Sequence, residues 1–179
     1  MNIRTGVGVI VLLFFVLGTA LAKDVYQTPR AFLAETFSGE TPKPEMVWLS
    51  GALKGAATKI MGHPYAKLRI KYWQLNGRTA WILEEIGKVK PITTGFVIDS
   101  DRIERMKVLV FRETRGWEIK YPFFTRQFKG LGLKGDDGLD GNIDGITGAT
   151  LSVSAVTRLS RLALFLNQHV KEKDQIKTR

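Results

Sequence analysis

Residues 68–86 read LRIKYWQLNGRTAWILEEI. Leu68, Ile70 and Tyr72 alternate with Lys67, Arg69 and Lys71, the period of a strand with one face buried and one face wet. Asn76-Gly77 follows, two residues that tolerate positive φ and so favour a tight hairpin. Thr79 to Ile86 then returns as a second strand. The pattern continues downstream, where Ile92 to Asp99 and Ile103 to Arg112 form another hairpin around Ser100-Asp101, and Trp117 to Tyr121 reads as a further short strand. Upstream, Thr28-Pro29 is an N-cap followed by a proline at the first helical position, opening a helix through Phe37. Glu45 to Met61 reads as a second helix, interrupted by Gly51 and Gly55. Lys129 to Gly145 is a glycine- and aspartate-rich loop. From Leu151 to Lys173 the apolar residues Ala155, Leu159, Leu162, Leu166 and Val170 recur at helical spacing and make one buried stripe. Helices, then antiparallel strands, then a long C-terminal helix predict an α+β fold.

Composition narrows the function. The chain has 179 residues, 44% hydrophobic and 25% charged, which fits one globular domain rather than a disordered or multi-span chain. It has no cysteine and two histidines, so disulfides, thiolate metal sites, iron–sulfur clusters and multi-histidine metal sites are ruled out as expectations. Redox chemistry would need an organic cofactor. Arg4, the uncharged run 6–17 and Ala20-Leu21-Ala22 before Lys23 read as a signal peptide over 1–22. The alternative is an uncleaved N-terminal anchor, since 6–22 is at the short edge of a bilayer span. Either reading exports the rest to the periplasm or another extracytoplasmic space, with membrane association through the N-terminus as a further expectation. A formal charge of +10 on an exported chain points away from nucleic acid. An anionic membrane surface, an acidic redox partner or a phosphorylated cofactor fits it better.

The chemistry-bearing stretch is Asp144-Gly145-Ile146-Thr147-Gly148-Ala149-Thr150. It is a tight loop that feeds a helix start. Gly145 and Gly148 let the backbone turn and let another group approach. Thr147 and Thr150 are candidate caps. The first-turn N–H groups and the positive end of the helix dipole suit a phosphate. A rival reading is calcium, because Asp140-Gly141-Asn142-Ile143-Asp144-Gly145 matches the first half of an EF-hand loop. Its twelfth position, which needs a bidentate Glu, is Leu151.

The order Asp-Gly-x-Thr-Gly-Ala-Thr resembles the flavinylation motif of the covalent FMN-binding domain family. That family includes the flavinylated subunits of the sodium-translocating NADH:quinone oxidoreductase and of the Rnf complex. Two more segments are similar to the family's pattern. Phe111-Arg112-Glu113-Thr114-Arg115-Gly116 matches its His-x-Glu-Thr-Pro-Gly run at Glu113, Thr114 and Gly116, with Phe111 in place of the His and Arg115 in place of the Pro. Phe124, Gln127, Phe128 and Gly130 match a Phe-x-x-Gln-Phe-x-Gly stretch. The resemblance implies FMN joined through a phosphoester to Thr150 by a separate flavin transferase that uses FAD and Mg²⁺. It implies that Asp144, Gly145, Thr147, Gly148 and Ala149 belong to the site, and that Glu113 and Thr114 lie close to the flavin. It implies an electron carrier between a membrane oxidoreductase and a cytochrome or terminal reductase, or a redox-complex subunit, rather than a stand-alone enzyme; no catalytic and no metal-binding residue is assigned. The organisation expected is a leader over 1–22, an N-terminal helical segment over 23–65, an FMN-binding domain over 66–173 and a basic tail over 174–179. The alternative is an exported binding module without flavin, calcium-stabilised or otherwise.

Overall fold

The computed structural model describes residues 25–135 and 137–177; the leader reading and the end of the basic tail fall outside them. The chain forms α1 (Pro29–Thr36), β1 (Glu45–Trp48), α2 (Gly51–Met61), β2 (Arg69–Leu75), β3 (Arg78–Ile86), β4 (Pro91–Asp99) and β5 (Arg102–Phe111). After them come 3-10 turns at Trp117–Lys120 and Arg126–Phe128 around α3 (Pro122–Thr125), a two-residue ladder of β6 (Leu133–Lys134) and β7 (Gly138–Leu139), and α4 (Thr150–Lys177). Strands β1 to β5 make one antiparallel sheet in sequence order. The mixed α+β architecture with a long C-terminal helix agrees with the sequence.

The β2–β3 hairpin closes with Leu75 opposite Arg78, and Asn76 and Gly77 both sit at positive φ, 51° and 80°. That is the two-residue turn whose twist matches the strands. Strand alternation then sorts side chains to two faces. Trp81, Leu83, Phe96 and Ile98 join the main core, where α4 contributes Ala155, Leu159, Leu162, Leu166 and Val170, all buried. Ala80, Val97, Leu109 and Val110 face the other way, against Phe32, Leu33 and Phe37 from α1. Gly95 on β4 leaves the room this second layer needs. A Cβ there would stand 2.6 Å from the Phe32 ring, which is fully buried.

A buried polar relay fixes the axial position of α4. The Trp81 indole N–H donates to Thr79 Oγ1 (3.0 Å), and Thr79 donates to Asn167 Oδ1 (2.7 Å). Asn167 in turn donates to Asp101 Oδ1 (2.8 Å), which Lys171 also reaches at 2.8 Å. Because every member has a partner, the relay specifies one register of helix against sheet.

Two local expectations are corrected. Glu45–Trp48 is a strand, not the start of a helix; it pairs with β2, and helix begins only at Gly51. Trp117–Lys120 is a 3-10 turn, not a strand. Gly116 enters it in the left-handed region (φ 86°) and Pro122 follows it, so the alternation of residue types there has no extended backbone to act on. Trp48 and Trp117 are exposed. Among the described residues no helix is long and apolar enough to cross a membrane.

Candidate functional site

The site lies where the end of β5 meets the start of α4. Thr150 is the first residue of α4, and Val153 N donates to Ala149 O (2.9 Å), so Ala149 occupies the cap position. The capping role expected of Thr147 and Thr150 is therefore corrected. A turn closed by Ala149 N on Ile146 O (2.9 Å) brings buried Ala149, which has no side-chain acceptor, to the helix end. Among the described residues no side chain caps the first turn. Thr150 is exposed, and its hydroxyl makes no hydrogen bond to them. A 28-residue helix thus presents uncapped N–H groups and a free hydroxyl together.

That helix start forms one wall of an open cleft of about 380 Å³, within the usual size of small-molecule sites. Gly148, Ala149, Thr150, Leu151 and Ser152 line it on one side, and Glu113, Thr114, Arg115 and Lys88 on the other. The walls are fastened at Gly116. A Cβ there would meet Ser152 Oγ at 2.6 Å, and Ser152 is itself buried, so only glycine allows this approach at this φ. The sequence match at Glu113, Thr114 and Gly116 thus has a physical counterpart: this turn is packed directly on the helix start.

Glu113 plays a part the sequence did not disclose. Its Oε1 accepts three backbone N–H groups from the β3–β4 turn, Lys88 (2.6 Å), Val89 (2.5 Å) and Lys90 (2.7 Å). Burial raises its pKa, but the hydrogen bonds from Lys90, Val89 and Lys88 outweigh this and hold the carboxyl below the usual glutamate range. The carboxylate is consumed in shaping the turn, and the turn brings Lys88 to the cleft. A lowered folded pKa contributes stability above the unfolded value, lost as pH falls through the folded one. Glu113→Gln is expected to flatten stability against pH from the usual glutamate range downward. Urea midpoints of the two proteins across acidic pH check this; parallel curves would rule it out.

The Gln127 segment braces the motif loop from beneath. Phe124 and Phe128 are fully buried and packed edge to face at 5.4 Å, which fixes the short helical turn. Gln127 Oε1 then accepts from Asp144 N at 2.7 Å. Asp144, Gly145 and Thr147 stand on the loop leading to the helix, outside the residues that line the cleft, while Gly148, Ala149, Thr150, Glu113 and Thr114 line it together. Two cations, Lys88 and Arg115, were not among the predicted site residues. Lys88 lies in a plain Gly-Lys-Val-Lys turn that reads as solvated, and only its contact with Glu113 ties it to the site. Asp140, first of the calcium-like loop, is engaged by Gly132 N (2.9 Å) and Arg102 (2.8 Å).

The features present fit a flavin phosphate: an uncapped helix start, a free hydroxyl on it, two flanking cations and a cleft beside them. Comparison with known proteins agrees with this fit. Residues 87–164 match the family model of the FMN-binding domain, a span that encloses every residue lining the cleft. No curated protein and no solved structure matches the chain. Residues 87–164, from the turn that carries Lys88 to the middle of α4, are thus similar to the FMN-binding domain family, and this similarity supports a flavin-binding role.

Proposed function

We propose that this chain is an exported electron carrier that holds FMN through a phosphoester on Thr150 Oγ. One observation supports this most. The unbonded, exposed Thr150 hydroxyl stands on the first residue of α4 and opens into the cleft that the family match encloses. A hydroxyl so placed can enter the active site of another enzyme, where a capping hydroxyl would have to leave its hydrogen bond first. In the transfer, Thr150 Oγ bonds to the FMN phosphorus of FAD and its proton is lost. The pyrophosphate bond breaks and AMP departs. The phosphodiester left behind keeps one negative charge, which the first-turn N–H groups and the helix dipole stabilise.

Bound flavin supplies one- and two-electron redox chemistry. The chain's own groups set its surroundings. Lys88 and Arg115 place positive charge at the cleft and so favour an added electron. Glu113 does little to oppose them, because three N–H groups already face its charge. A tether removes the need for tight noncovalent binding, so the cleft can stay open enough for a donor and an acceptor to approach. The partners we propose are a Mg²⁺-dependent flavin transferase, a membrane oxidoreductase as donor and a cytochrome or terminal reductase as acceptor. The proposed location is the periplasm or its equivalent.

The test is the intact mass of the chain after export together with a flavin transferase, with a denaturing gel viewed under ultraviolet light. The expected result is a gain of one FMN less one water and a fluorescent band. An unmodified mass from folded protein would overturn the proposal.

A further inference from the structure

Beside the cleft lies a cluster of exposed aromatic rings around one lysine. Lys120 Nζ stands over the rings of Tyr26 (4.2 Å), Trp117 (5.1 Å) and Tyr121 (5.2 Å). Trp117 meets Tyr121 edge-on at 5.6 Å, and Tyr121 lies 6.3 Å from Phe123. These are not core residues that happen to touch solvent: Phe123 is 61% exposed, Trp117 41% and Tyr121 40%. Contiguous exposed aromatics on a soluble domain mark a contact surface.

We propose that this face rests on an anionic lipid bilayer, so that the cleft at Thr150 opens at the membrane surface. Three independent features select lipid. The first is residue type. Trp and Tyr combine an apolar body with a polar tip and suit the headgroup zone, and a lysine among them can keep its charge at the phosphates. The second is charge. Between Thr114 and Lys129 the bases are Arg115, Lys120, Arg126 and Lys129, against the single acid Glu118, on a chain of net charge +10. Each base near an anionic surface adds to the attraction. The third is where the chain enters the fold. The uncharged run 6–22 is separated from Val25 by Lys23 and Asp24 alone. Val25 bridges to Val110, Tyr26 N donates to Leu109 O (2.9 Å), and Tyr26 is itself part of the aromatic cluster. An uncleaved anchor over 6–22 would therefore join the fold at this face.

The consequence for electron transfer rests on the reading of the cleft; the seating itself does not. Gly116 alone separates Trp117 from Thr114 and Arg115 of the cleft wall. Seating the aromatics on lipid turns that wall toward whatever redox protein the membrane holds.

The absence of cysteine allows a clean test, since an introduced Cys carries the only label. A nitroxide is attached to Phe123→Cys, and separately to Trp48→Cys on β1, in the full chain loaded with flavin. Vesicles of phosphatidylcholine and phosphatidylglycerol are then added. At position 123 the label is expected to lose access to a water-soluble nickel chelate and gain access to oxygen, by roughly tenfold in their ratio. At position 48 no change is expected. Trp117→Ser with Tyr121→Ser should return the label at 123 to water. A label at 123 that stays as aqueous as that at 48, or that stays in lipid after both Ser substitutions, would overturn the proposal. Repeating the depth measurement in Thr150→Ala, with flavin scored separately by gel fluorescence, keeps failure of the seating distinct from failure of the tether.

Discussion

Thr150→Ala is expected to abolish covalent flavin while leaving the fold intact. The two halves of this expectation have different origins. Loss of flavin follows from chemistry: the phosphoester needs an oxygen nucleophile at this position, and alanine has none. Retention of the fold follows from geometry. A hydroxyl capping α4 would cost about 1 kcal/mol to remove. Thr150 is the first helical residue, exposed, with a hydroxyl that bonds to nothing in the described chain. Its loss belongs with surface substitutions, within about 0.5 kcal/mol. Thr150→Ser keeps the nucleophile and should load. Thr147→Ala, on the same loop but away from the cleft, should load as well. Intact masses of the three variants, each with a thermal melt, check the set. Covalent flavin in folded Thr150→Ala would refute the assignment, and its loss in folded Thr147→Ala would show that the loop ahead of the helix also takes part in loading.

What the sequence disclosed depended on whether the physics was local. The β2–β3 hairpin and α4 were legible because each carries one clean period over its whole length, and Asn76-Gly77 marks its turn without outside help. β1 was not. Glu45 to Trp48 runs into α2 with little punctuation, and it is a strand because Val47 pairs opposite Ile70 and buries in the core, a contact across the fold. The site divided in the same way. The helix start, its glycines and Thr150 could be read in order along the chain. Lys88 could not, because it reaches the cleft through three hydrogen bonds between the β3–β4 turn and Glu113, on the neighbouring strand's end. Nor could the state of the cap, since whether Ala149 or Thr150 closes the helix depends on the turn at Ile146.

The opposite dissociation is expected from Gly95→Ala, which should damage the fold and spare the chemistry of the site. Gly95 lies on the face of β4 turned toward α1. A Cβ would meet three atoms of the Phe32 ring between 2.6 and 2.9 Å. The ring has little room to retreat. It is fully buried among Leu33, Phe37, Ala80, Val97 and Leu109, and the Arg105 guanidinium lies 5.6 Å from its centre. Arg105 is itself held, donating to Thr36 Oγ1 at 2.9 Å and paired with Glu35. Overpacking of this kind costs roughly 1–3 kcal/mol, and a chain of this size loses about 2–4 °C of melting temperature for each. The strain has one address, so it should be relieved there. Phe32→Leu alone loses buried area and destabilises. In the Gly95→Ala background it also removes the clash, so the double variant should be more stable than the sum of the two losses predicts, by about 1 kcal/mol. The cleft is built on α4 and the β5 turn, across the sheet from α1, and flavin loading of the folded fraction should not change. Thermal melts of the four proteins of the cycle decide the matter. Additive losses would mean that the sheet yields at β4 instead of the ring, and that α1 is not clamped by this contact.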